Sequence, residues 1–209
     1  MRLSARVFSV LAIASLPVLA DTIPYANVGT IAPTPTLVAQ STGIIMGYFA
    51  GFSAADTDYI RMCDDTKNVC SAWTFDNQTT AIGSSFNFGS VNAGDVLEFQ
   101  LYNHTTNHYF SSKPSNSDDG INHAYATAYT ATGNPALAPS IPAGMFVGME
   151  DLGNFCNGCT DLDYNDDTFV FTNVATTATP EPATSAALGL GLAGLVVLAR
   201  RRAIRGSVN

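Results

Sequence analysis

Val96-Leu97-Glu98-Phe99-Gln100-Leu101-Tyr102 alternates residue by residue. Successive side chains of a β-strand point to opposite faces. Leu97, Phe99 and Leu101 therefore form one face, apolar and directed at a core. Val96, Glu98, Gln100 and Tyr102 form the other. Asn92-Ala93-Gly94-Asp95, just before, is turn sequence. Working outward, Ser84 to Phe88 reads as a short strand, Thr57 to Cys63 as a half-exposed one and Gly43 to Phe52 as a buried one. Asp64-Asp65-Thr66-Lys67-Asn68 is a polar turn, from which Val69 to Phe75 returns. Downstream, His123 to Tyr129, Met145 to Met149 and Thr168 to Val174 read as strands. Ser111 to Gly120 is a polar loop and Thr132 to Pro142 a proline-bearing connector. No stretch of the body carries an apolar period of 3.6. Seven or eight short strands punctuated by turns predict an all-β fold, an antiparallel β-sandwich with a jelly-roll-like arrangement as one form. The sandwich is expected over residues 43–174, after an extended Pro/Thr-rich lead-in at 21–42 and before a small-residue linker at 175–179.

Of the nine basic residues in the 209-residue chain, only Arg61, Lys67 and Lys113 lie between residues 21 and 180. That stretch holds sixteen acidic residues, for a formal charge of −13. Such a surface repels nucleic acid and anionic membranes. It suits divalent cations, or solubility in a polyanionic matrix. Cys63, Cys70, Cys156 and Cys159 are an even set in two local pairs. Four cysteines allow three pairings, of which the two local ones are favoured for an exported chain. A Cys-x-x-Cys pair also suits zinc or redox work, but a redox pair opens a helix. Cys156 and Cys159 stand in a Gly/Asn loop.

The chemical focus is Glu150-Asp151-Leu152, a gap, and then Asp161-Leu162-Asp163-Tyr164-Asn165-Asp166-Asp167. Asp161, Asp163, Asn165 and Asp167 are spaced by two, which places oxygens on one side of an extended or looped backbone. Glu150 and Asp151 are further candidate ligands. Calcium accepts six to eight oxygens in irregular geometry and is the expected cofactor; magnesium demands a stricter octahedron. The segment is not an EF-hand, since Asp166 stands where that loop needs Gly and Thr172 where it needs Glu. The competing reading is an Asx-rich turn whose carboxylates cap backbone N–H groups. The run from Asp118 to Val174 resembles an uncharacterised bacterial extracellular domain family, common in secreted and adhesin-like proteins. Cys156, Cys159 and the Asp167-Thr168 pair depart from that pattern.

Both ends read as targeting segments. Arg2 and Arg6, the apolar Val7 to Leu16, and Val18-Leu19-Ala20 form a signal peptide over residues 1–20. The other end runs Pro180-Glu181-Pro182, the apolar Ala183 to Ala199, then Arg200-Arg201-Arg202. The two prolines hold the triplet extended. Seventeen residues of helix reach about 25 Å, near the lower limit for a membrane span. The arginines remain on the cytoplasmic side. Residues 180–205 resemble the PEP-CTERM sorting signal of Gram-negative bacteria that make extracellular polysaccharide. The resemblance implies export through the inner membrane, brief membrane retention by 183–199, exosortase as partner, and a final place at the cell surface or in the matrix.

Other signals are weaker. His104 and His108 follow a strand without a Glu and are expected in a turn rather than at zinc. No Gly-x-Ser-x-Gly elbow supports nucleophilic catalysis, and no carboxylate pair is singled out for glycoside hydrolysis. Trp73, Tyr48, Tyr102, Tyr109, Tyr125 and Tyr129 would stack on sugars if exposed. The chain is thus expected to be a non-enzymatic surface or matrix protein with a calcium-stabilised acidic loop. The alternative is a carbohydrate-binding module for exopolysaccharide. No nucleic-acid partner is expected.

Overall fold

A computed structural model describes residues 23–131, 137–138, 140–155 and 159–177. The leader at 1–20, the span at 183–199 and the sorting residues Pro180, Glu181, Pro182 and Arg200 to Arg202 lie outside the described residues. The described residues form eleven strands: β1 (Leu37–Ala39), β2 (Gly43–Phe52), β3 (Asp58–Asp64), β4 (Val69–Cys70), β5 (Ser85–Val91), β6 (Val96–Asn103), β7 (His108–Ser111), β8 (Ala124–Tyr129), β9 (Gly144–Met149), β10 (Asp167–Phe171) and β11 (Val174–Thr176). A 3-10 turn, η1 (Pro114–Asn116), follows β7.

The strands build two antiparallel sheets. Sheet A runs β11-β1-β6-β3-β4, with β7 also on β6; sheet B runs β5-β2-β10-β9-β8. Strand β6 is the axis of sheet A. It pairs with β3 from Asn103↔Asp58 to Leu97↔Asp64. Its other edge is shared by β1 near Leu97 and by β7 near Asn103. Leu97, Phe99 and Leu101 are buried in the core between the sheets, with Ile60 and Met62 from β3. Sheet B meets them with Ile45, Phe49, Val147, Met149, Phe169 and Phe171. Phe99 and Phe171 touch across the gap, their ring centroids 4.0 Å apart. Full burial of each such side chain stabilises by about 1.5–3 kcal/mol. The outer face of sheet B is covered too: Phe146, Val170 and Tyr129 pack under Ile141, Ile23 and Leu137.

Several expectations are corrected. The lead-in at 21–42 is not merely extended, since it carries β1 and buries Tyr25 and Ala32. The linker at 175–179 is entered by β11, which pairs with β1 through Leu37↔Thr176. The two ends of the body thus close sheet A together. Val69 to Phe75 is strand only at Val69–Cys70; a single bridge joins Thr74 to Ile60, and Phe75 has φ 54°. Glu98, on the face of β6 opposite Leu97, Phe99 and Leu101, is nonetheless 2 % exposed. The chain after β7 folds over it, and Ser111 Oγ (2.6 Å) and Asn116 Nδ2 (2.9 Å) donate to its carboxylate.

Candidate functional site

Strand β9 sets the site by its alternation. Met145, Val147 and Met149 face the core between the sheets, and Phe146 faces the outer cluster. Continuing one step, Glu150 and Asp151 fall on opposite sides, so they enter different surroundings.

Glu150 is 1 % exposed and pins the acidic loop. Its Oε2 accepts from Thr160 Oγ1 at 2.6 Å, and its Oε1 accepts the backbone N–H of Tyr164. Tyr164 is buried; its hydroxyl accepts the Ala32 N–H at 2.7 Å and donates to the Asn122 carbonyl at 3.2 Å. The loop lies directly on β9: a Cβ at Gly148 would stand 2.1 Å from the Tyr164 carbonyl oxygen. Leu162 and Tyr164 are left-handed, with φ 51° and 57°. The loop therefore coils, and the two-residue spacing does not line its oxygens along one side. Asp161 and Asp163 turn toward Glu150, and one oxygen from each of the three lies within 4.8 Å of the others. Asn165 folds back instead, its backbone N–H donating to Asp163 Oδ1 at 3.1 Å. Burial raises the Glu150 carboxyl to about 7, against the hydrogen bond from Thr160.

Asp151 and Asp167 go to the interior side. There they meet Asp58, at the start of β3 on the opposite sheet. Asp58, Asp151 and Asp167 are 0 %, 3 % and 1 % exposed. Asp58 lies within hydrogen-bonding reach of Asp167 and Asp151, and Asp151 within reach of Asp166, so the carboxyls form a chain of acceptors. Donors are few. Asn77 Nδ2 reaches Asp58 Oδ2 at 3.0 Å, Asn103 Nδ2 reaches Asp56 Oδ2 at 2.8 Å, and the Asp151 N–H reaches Asp166 Oδ2 at 3.0 Å. Burial, with like charges adding to it, raises Asp58 and Asp151 to about 7 and Asp166 to about 8, and lifts Asp167 well above its ordinary value.

The six expected ligands are therefore divided. Glu150, Asp161 and Asp163 converge on one side of β9, Asp151 and Asp167 on the other, and Asn165 caps its own loop. Asp56, Asp58 and Asp166 were not read as site residues. For Asp56 and Asp58 no spacing signal exists, because only the pairing of β3 beside β6 brings them to the loop.

Cys63 and Cys70 face each other across β3 and β4 and are bonded. Cys159 is disulfide-bonded; Cys156 lies outside the described residues. The three histidines are separate. His104 sits in the β6–β7 turn, His108 pairs with Asp118 at 3.0 Å, and the buried His123 pairs with Asp119 at 3.0 Å. Trp73 is half-buried on the outer side of sheet A, with Tyr102 and Tyr109 at 5.8 and 6.1 Å and the Arg61 guanidinium 4.3 Å over its ring.

Among the described residues no helix is long and apolar enough to cross a membrane. Residues 178–202 match the PEP-CTERM protein-sorting motif. The chain is thus an exported protein, sorted to the cell surface through its tail and directed to exosortase for processing. No curated protein and no solved structure matches the chain.

Proposed function

We propose that this exosortase-directed chain is a non-enzymatic component of the surface or extracellular matrix of a Gram-negative bacterium, and that calcium stiffens its acidic loop. Residues 183–199 hold it in the inner membrane until processing. The observation that carries the calcium reading is the convergence of Glu150, Asp161 and Asp163, with one oxygen each within 4.8 Å. Three carboxylates at this spacing offer a hard cation a partial shell that water completes. Thr160 and Tyr164 hold Glu150 in place for that task. A groove of about 590 Å³ beside the loop is bordered by Tyr25, Ala50, Phe52 and Phe146 and carries one carboxylate, Asp163. A lone carboxylate beside apolar walls lacks the acid–base pair that hydrolysis uses.

Limited proteolysis of the full chain tests this. Calcium is expected to protect the segment from Glu150 to Asp167, and the double variant Asp161→Asn/Asp163→Asn to abolish that protection. Equal cleavage with calcium and with chelator would defeat the loop reading.

One observation favours polysaccharide binding as a second reading. Trp73, Tyr102 and Tyr109 form a cluster on the outer side of sheet A, and Tyr109 is 42 % exposed. Aromatic faces stack on the apolar faces of sugars. If so, Trp73→Ala loses retention on the host's exopolysaccharide in affinity electrophoresis; unchanged migration with and without the polymer would remove this reading.

A further inference from the structure

The core of the sandwich ends in carboxylates. On β3, the inward positions Met62 and Ile60 are followed at the strand's start by Asp58. On β10, Phe171 and Phe169 are followed by Asp167. On β9, Val147 and Met149 lead to Asp151. All three strands lead to an inward acid at one end of the sandwich, at the strand's own terminus in β3 and β10 and two residues past it in β9. An apolar residue there would extend the core at no electrostatic cost, so the acids need another explanation.

The charges are not balanced by protein. The body's three cations are engaged elsewhere: Arg61 with Gln100 and Trp73, Lys67 with Asp64 and Asp95, Lys113 with Asp65. Among the described residues no ion pair reaches Asp56, Asp58, Asp151, Asp166 or Asp167. Hydrogen bonds do not compensate either. Both carboxylate oxygens of Asp167, and Oδ1 of Asp58, are buried without any partner. A buried acceptor without a donor costs about 1–3 kcal/mol, and a charged one more. Asp58 belongs to sheet A and Asp167 to sheet B, so these oxygens come from both sheets. Asn77 and Asn103 meanwhile spend their amide hydrogens on the remaining oxygens of Asp58 and Asp56, which orients those carboxyls.

We infer that this end of the sandwich is a divalent-cation site, formed by Asp58, Asp151 and Asp167 with Asp56 and Asp166 at its margin, for a hard, oxygen-seeking ion of the calcium class. It is distinct from the Glu150–Asp161–Asp163 group, which lies on the other side of β9. Carboxylate-only ligation excludes soft metals, which prefer sulfur or imidazole. The number of carboxylate oxygens suits calcium, which accepts six to eight, better than magnesium. The ion joins Asp58 of sheet A to Asp151 and Asp167 of sheet B, so it acts as a cross-sheet staple.

The test uses the full chain in detergent, stripped of metal, with calcium chloride as the probe. Calorimetric titration and thermal melting are read for wild type, Asp58→Asn, Asp167→Asn, and the Asp161→Asn/Asp163→Asn double variant. Calcium is expected to raise the wild-type melting temperature. Asp58→Asn and Asp167→Asn each weaken calcium binding about tenfold or more, since affinity follows ligand charge, and lose the melting shift. The loop double variant keeps the melting shift and the binding event that Asp58→Asn and Asp167→Asn weaken. Without metal, Asp167→Asn melts at or above wild type, because one of several facing charges is gone; this also shows that the variant folds. Asp166→Asn, at a half-exposed position, is the second variant and weakens binding with the fold undisturbed. The inference is overturned if calcium leaves wild-type melting unchanged, which would mean the acids merely share protons. It is also overturned if the shift survives in Asp58→Asn and Asp167→Asn. Loss of the shift in the loop double variant alone overturns it while sparing the loop reading.

Discussion

Asn103 on β6 donates through Nδ2 to the backbone carbonyl of Asp151, 2.9 Å away across the sandwich. The same amide donates to Asp56 Oδ2 at 2.8 Å, and Asn103 Oδ1 accepts the Thr106 N–H at 2.9 Å. One fully buried side chain thus joins sheet A, sheet B and the β6–β7 turn. Asn103→Ala leaves these groups unpaired in the interior. It is expected to lower unfolding stability by about 2–3 kcal/mol, the range for buried polar groups that lose their partners. Urea unfolding of the metal-free protein measures it. A loss below about 0.5 kcal/mol, the scale of an ordinary surface substitution, would show that the clasp is dispensable.

The pH dependence of the metal-free protein has a definite sign. In the native state Asp58, Asp151 and Glu150 titrate at about 7 and Asp166 at about 8, because burial favours their neutral forms. In the unfolded chain such groups lose their protons near pH 4. Their contribution is therefore complete below about pH 4 and is lost as pH rises through the folded values. His123 acts in the opposite direction. Burial lowers its pKa against the attraction of Asp119, so its contribution is full above its unfolded value and lost as pH falls. Several carboxyls outweigh one imidazole. Melting temperature without metal is expected to fall from about pH 5 to about pH 8, as read by circular dichroism. A melting temperature that rises over that interval would contradict the burial of these acids.

How much of this was legible in the sequence depends on what each element rests on. Strand β6 was legible because its alternation is complete and one face is wholly apolar. Strands β2 and β9 were legible as apolar runs. Strands β1 and β11 were not: each has three residues amid Thr and Pro, β1 is a strand because β6 and β11 flank it, and β11 because β1 pairs with it. The acidic loop was legible as a concentration of oxygens, but its geometry was not. Left-handed backbone at Leu162 and Tyr164 broke the expected alignment, and β-alternation sent Glu150 and Asp151 apart. Asp58 carries no signal of its own; the β3–β6 register sets it beside Asn103, and the packing of one sheet on the other brings it to Asp167.

The Cys63–Cys70 bond closes a short loop at the edge of sheet A. Val69 and Cys70 make a two-residue strand that is exposed. Little packing holds it, so the bond carries its attachment. In the chain-entropy account a loop of this length contributes about 2–3 kcal/mol. Cys63→Ser/Cys70→Ser is expected to lose about that amount in denaturant unfolding, with calcium binding unchanged. An unchanged unfolding midpoint would mean that the β3–β4 turn is self-supporting.

The tail makes a prediction that is independent of the body. Residues 178–202 carry the sorting motif, and within them Pro180 and Pro182 flank Glu181. Each proline fixes its own φ and biases the preceding residue away from helix. The triplet's sequence disfavours helix, which suits recognition by a processing enzyme. Replacing Pro180, Glu181 and Pro182 together by Ala removes both prolines and the charge. The apolar run and its arginines are untouched, so membrane retention should persist while processing fails. The expected result is accumulation of a larger, membrane-associated form and loss of the surface form, read by fractionation and intact mass in the native host. The body's calcium response, measured on that retained form, should be unaltered, because the described fold ends before the motif. If the triple variant is trimmed and delivered like wild type, the triplet is not the element that the processing enzyme reads.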